Sequence, residues 1–164
     1  MAGILKEEFS AFGECAVVLE QKNWRDYVGR FSVEIELANQ EDVHSAKLGN
    51  ILPDQIRRLK IFGVVDTGAT RLVLPKTAVD QLGLPESGMV RVKFADGRRA
   101  ERSKVESVRV EIEGRASVFT AVVEPGRTDA LIGAIVMEEL DLLPDVVAGK
   151  LIPRDPQWVL AEIE

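Results

Sequence analysis

"VVDTGATRLVLP", Val64 to Pro75, sets one carboxylate between an apolar run and a tight turn. The run Ile61, Phe62, Val64 and Val65 reads as a buried strand, where an ionised carboxylate is costly unless hydrogen bonds or a partner compensate it. Asp66-Thr67-Gly68 then enters a turn that can hold the carboxylate on backbone N–H groups of its own loop, with glycine permitting close approach of another chain. Taken alone, Asp-Thr-Gly is a short motif whose commonest explanation is an ordinary turn. Its context singles it out: Ala69 and Leu72-Val73-Leu74 follow, a hairpin signal stands at Asp96-Gly97, and Leu131-Ile132-Gly133 comes later.

On both sides of this stretch the chain reads as short strands. Phe31, Val33, Ile35 and Leu37 alternate with Ser32, Glu34 and Glu36, the period of an antiparallel strand with one wet face. The segment Asn39 to Lys60 reads as a partly helical excursion, with Asn39 as a helix cap and Pro53-Asp54 opening a second turn. Pro75 and Lys76 start a short helix that Gly83 ends, with Val79 and Leu82 on its apolar face.

Val90, Val92 and Phe94 alternate up to Ala95-Asp96-Gly97, and a second run passes through Val108, Val110 and Ile112, a strong hairpin pattern. After the turn Glu113-Gly114, "SVFTAVVE" adds a strand that Pro125-Gly126 closes. Ala130 to Ile132 is a brief strand before a helical turn through Met137 to Leu140. Leu151-Ile152 and Trp158 to Ile163 are the last strand candidates. Many short strands with two or three short helices predict an all-β, barrel-like domain over residues 26–164. Residues 1–25 form an N-terminal segment with no clear period.

Composition narrows the function classes. A chain of 164 residues, 46% hydrophobic, suits one core of ordinary size. A formal charge of −6 argues against nucleic acid as a partner. Lys6, Glu7 and Glu8 interrupt the apolar stretch a signal peptide requires, and no segment approaches a membrane span, so a soluble, cytoplasmic protein with no membrane partner is expected. Cys15 is the sole cysteine, which excludes an internal disulfide and a cysteine-based metal site, and it reads as a small buried or half-buried thiol. No carboxylates cluster with His or Cys at ligand spacing, so neither metal nor cofactor is expected.

His44, the sole histidine, has no serine elbow near it, which disfavours a Ser-His-Asp site. Gly63 and Gly68 have the gap of a phosphate-binding loop, but Ala69 stands where its lysine belongs. The basic residues Arg91, Lys93, Arg98, Arg99, Arg102, Lys104 and Arg109 are interrupted by Asp96, Glu101 and Glu106 and read first as a solvated hairpin face, with a preference for acidic substrates or partners as the alternative.

From roughly Phe31 to Pro153 the sequence resembles the retropepsin-like aspartic proteases, including their single-domain bacterial members. The resemblance rests on "VVDTGAT", on "ALIGAIVMEELDLL", and on "VESVRVEIEGRASVFTAVVE" between them. It implies a closed β-barrel and an endopeptidase without cofactor, acting on peptide or protein substrates with water as nucleophile. Such hydrolysis takes one carboxylate as base and one carboxyl as acid, and two carboxyls in contact share one proton, as is long established for aspartic-protease dyads.

The chain holds no second Asp-Thr-Gly or Asp-Ser-Gly; the nearest sequence is Glu86-Ser87-Gly88. The resemblance therefore implies a homodimer in which Asp66 of two subunits completes the dyad. It further implies that Thr67 bonds across the two-fold axis, that Gly68 offers its N–H to the carboxylates and that Ala69 floors the cleft. Phe94, Ala95, Asp96 and Gly97 would form the substrate-binding flap. Leu131, Ile132 and Gly133 would pack beside the active-site loop. The flap "FADGRRAERSK" departs from the glycine-rich retroviral pattern. A catalytically silent dimerisation or peptide-binding module of the same fold is the alternative.

Overall fold

The computed structural model describes residues 30–157 and 159. Among the described residues the chain forms nine strands: β1 Arg30–Asn39, β2 Arg58–Asp66, β3 Leu72–Pro75, β4 Glu86–Lys93, β5 Arg99–Ile112, β6 Arg115–Glu124, β7 Ala130–Ile132, β8 Leu142–Asp145 and β9 Lys150–Pro153. Three short helices join them: α1 Gln40–Lys47, α2 Lys76–Leu82 and α3 Ala134–Glu139, with a single 3-10 turn at Pro53–Gln55. The hydrogen-bonded order β1-β2-β7-β3-β6-β5 returns to β1 through a β1–β5 pairing, so six strands close into a barrel. β4 extends the free part of β5 outside that ring, and β8 and β9 form a separate hairpin.

Period-two patterning fills the barrel. Ile35 and Leu37 of β1 are fully buried while Ser32 and Glu34 face water, and Val108 and Val110 of β5 join Val65, Leu72, Leu74 and Ile132 in the same core. Glu113 (φ 51°) and Gly114 (φ 75°) both take left-handed backbone, the two-residue connection that suits the twist of β5 and β6. Asn39 is fully buried. Its Oδ1 accepts the N–H of Glu41 at 2.9 Å and its Nδ2 donates to Leu82 O at 3.0 Å, so one amide caps α1 and ties it to the end of α2.

Several expectations change. The Ile61–Val65 run is not a buried strand on both faces: Val65 is inside, but Phe62 is 58% exposed, because β2 has only one face toward the barrel. The excursion is shorter than Asn39 to Lys60, since β1 runs to Asn39 and β2 begins at Arg58, paired Ala38 to Arg58. That same register sets Arg30 opposite Asp66, so the excursion leaves from the far end of the β1–β2 pair, about 26 Å along the strand from Asp66. α3 starts at Ala134, three residues before the expected Met137, because its first amides find acceptors in the Asp66 loop. Cys15 and the 1–25 segment lie outside the described residues. So does the Trp158 to Ile163 strand candidate, save Val159, which is not in a strand.

Candidate active site

Asp66 is the last residue of β2, and its side chain is 14% exposed. Oδ1 accepts the Gly68 N–H at 2.9 Å, and the Asp66 carbonyl accepts the Ala69 N–H at 3.1 Å, so the carboxylate and the turn it opens hold each other. Oδ2 accepts from Nη2 of Arg30 at 2.8 Å.

The loop is clamped from the other side by the segment that follows β7. β7 runs parallel to β2, pairing Val64 with Leu131 and Val65 with Ile132, and antiparallel to β3, pairing Val73 with Leu131. Gly133 follows, and α3 begins. The first amides of a helix lack acceptors of their own; here Ala134 N–H donates to Ala69 O at 2.8 Å and Ile135 N–H to Thr70 O at 3.1 Å. Gly133 makes this approach possible: a Cβ there would lie 2.6 Å from the backbone N and O of Arg71 and from the carbonyl carbon of Thr70. Leu131, Ile132, Gly133 and the loop Asp66, Thr67, Gly68, Ala69 are thus brought together. Thr67 also borders a cavity of about 260 Å³ with Ala134, Met137, Asp141, Leu142 and Arg154.

Phe94, Ala95, Asp96 and Gly97 sit at the tip of the β4–β5 hairpin and make no hydrogen bond to the Asp66 loop among the described residues. The tip is self-contained. Phe94 N–H donates to Arg98 O and Gly97 N–H to Phe94 O, each at 2.9 Å, with Gly97 at φ 86°. Arg98 bonds Asp96 at 2.6 Å, which holds that carboxyl below its usual range, and Arg98 and Arg102 stack on the Phe94 ring at 5.2 and 5.6 Å. Arg102 reaches Oε2 of Glu124 at 2.8 Å and lowers the pKa of that carboxyl in turn. The basic residues of the hairpin are accordingly partly spent on internal pairs, with Arg91 also near Glu101 at 3.7 Å.

The structure also places Gly63 and His44. Gly63 is buried inside β2, where an added Cβ would lie 2.6 Å from Cδ1 of Ile132, so it belongs to a strand rather than a phosphate loop. His44 is in α1, at the far end of the β1–β2 pair. Among the described residues, no three His, Cys, Asp or Glu side chains stand where they could hold a metal together, and no helix is long and apolar enough to cross a membrane.

Arg30, Arg71 and the α3 amides escape sequence reasoning. The amides have a legible signal, since any glycine followed by a helix offers orphan N–H groups. Arg30 has none, because it meets Asp66 only through the β1–β2 register.

A sequence model described as Aspartyl protease matches residues 58–141, just over half the chain, from the start of β2 to just past the end of α3. No curated protein matches. Among solved structures, the chain is similar to the EIAV protease complexed with the inhibitor HBY-793, at 18% identity over 49% of this chain and 77% of that one, TM-score 0.43. It is also similar to the solution structure of the Simian Foamy Virus (mac) protease, at 16% identity over 52% of this chain and 88% of that one, TM-score 0.40.

Proposed function

We propose that this chain, which belongs to the aspartyl protease family, is an endopeptidase whose active site is completed when Asp66 of a second copy faces Asp66 of the first. The observation that carries this reading is the single Asp-Thr-Gly loop, half-buried and clamped by Gly133 and the first amides of α3, with one carboxylate and no second such loop in the chain. Hydrolysis needs an acid and a base at once. One carboxylate takes a proton from water as its oxygen attacks the carbonyl carbon; the protonated partner gives its proton to the carbonyl oxygen, forming a tetrahedral diol. Collapse of the diol, as one carboxyl passes its proton to the amide nitrogen and the other carboxylate takes a proton from a diol hydroxyl, breaks the C–N bond and returns the pair to one shared proton.

In this reading Thr67 bonds its counterpart across the axis, Gly68 N–H steadies the carboxylate, Ala69 floors the cleft and the Phe94–Gly97 tip folds over the peptide. Leu131, Ile132 and Gly133 support the loop without touching substrate.

A second reading, a silent module that binds peptides or dimerises, draws on the Arg30 guanidinium, which occupies Oδ2 of Asp66 in the single chain. One experiment separates the two. Digestion of a broad peptide library from acid to neutral pH, with and without a transition-state-mimicking aspartic-protease inhibitor, should give inhibitor-sensitive cleavage that is absent from a folded Asp66→Asn variant. Cleavage indifferent to both inhibitor and substitution would refute the peptidase reading.

A further inference from the structure

We propose that Arg71 makes this site selective for peptides carrying an acidic side chain near the cleaved bond, a proposal that rests on the peptidase reading above. Arg71 follows Asp66 by five residues, and its backbone N and O lie against Gly133, so the clamp that positions the carboxylate also fixes where the arginine emerges. It emerges at a groove of about 290 Å³ between β6 and α3, lined by Arg71, Val118, Phe119, Thr120, Ile135 and Glu139. Val118 and Ile135 are 46% and 39% exposed and give the groove apolar walls.

Charge decides what fits there. Arg30 is held by Asp66, Arg102 by Glu124 and Arg154 by Asp141, while Arg127 donates to the carbonyl of Asp129. Arg71 is exposed and has no ion pair or hydrogen-bond partner for its guanidinium among the described residues. Glu139, the acid of the groove, instead accepts from Ser117 Oγ at 2.8 Å. A guanidinium fork beside apolar walls suits a carboxylate, which it can bind through two parallel N–H donors. On a chain of net charge −6, which repels acidic peptides at a distance, this local cation supplies the attraction such a substrate needs.

The test has two arms on the full chain. Cleaved peptides are remade as pairs differing only in Glu or Gln at positions flanking the bond, and kcat/KM is compared. In parallel, fluorescence anisotropy follows binding of labelled degenerate decapeptide pools, one with Glu where the other has Gln, to the Asp66→Asn protein. The Glu member should be favoured by about three- to tenfold in both arms. Arg71→Gln should equalise the pair, Arg71→Lys should restore part of the preference, and Arg71→Glu should reverse it toward the Gln member.

Equal handling of Glu and Gln by protein with Arg71 intact, or a preference untouched by Arg71→Glu, overturns the assignment. An Arg71-dependent preference in binding, from a protein whose wild type cleaves nothing, supports Arg71 and refutes the peptidase reading instead.

Discussion

Nη2 of Arg30 lies 2.8 Å from Oδ2 of Asp66, across the first matched pair of β1 and β2. Oδ1 is already committed to the Gly68 N–H, so Oδ2 is the oxygen that a facing carboxyl has to share, and in the single chain Arg30 competes for it. The arginine is 57% exposed, which makes its grip weak and open to screening by salt. Salt should therefore stimulate the wild type, and Arg30→Gln should raise peptidase activity at low ionic strength by about two- to fivefold and abolish that stimulation. Initial rates over a salt series for both proteins check this; identical salt profiles would show that Arg30 does not compete.

Gly133→Ala tests the clamp. Its Cβ would meet backbone atoms at 2.6 Å rather than the yielding end of a side chain, so the Asp66 loop or the start of α3 must move. Overpacking of this kind costs about 1–3 kcal/mol of stability. Activity should fall much further than stability, because either movement disturbs the bonds from the start of α3 that hold the Asp66 loop. Urea unfolding midpoints and kcat measured on the same preparations separate the two effects. Gly63→Ala is a milder control, since it meets the flexible tip of Ile132.

Acid should weaken the fold through Asp141. This buried residue sits at φ 53° after α3, where Nε of Arg154 donates to Oδ1 at 2.5 Å and Nη1 of Arg115 approaches Oδ2 at 3.2 Å. Arg154 first, and Arg115 after it, hold the carboxyl below its usual 3.8 against the opposing effect of burial. A carboxyl whose folded pKa is depressed adds stability above its unfolded value, and that stability is lost as pH falls through the folded value. Stability should thus hold down to about pH 4 and decline below it. Asp141→Asn should be less stable than wild type at neutral pH but lose less on acidification. Unfolding midpoints measured from pH 7 to 3 for both proteins check this, and parallel pH curves would contradict it.

Much of this architecture is legible from local chemistry. Asp66-Thr67-Gly68, the Asn39 cap, the Gly83 end of α2 and the Glu113-Gly114 turn each declare themselves within a few residues, because turns and caps depend on near neighbours. Leu131 to Gly133 is recognisable as a unit, although its parallel pairing with β2 is not. The exposure of Phe62 is hidden in a continuous apolar run, since period-two patterning cannot say that the outer face of β2 lacks a covering layer among the described residues. The contacts of Arg30, Arg71 and Asp141 depend on strands and loops distant in sequence, so no local pattern announces them.

The central claim is that two chains make one site, and mixing subunits tests it most directly. Wild-type and Asp66→Asn chains are combined in known proportions, allowed to exchange, and assayed at constant total protein. If each site needs Asp66 from both copies, hybrid dimers are inactive and activity falls as the square of the wild-type fraction. A linear fall would mean that one chain's Asp66 suffices, and would contradict the account.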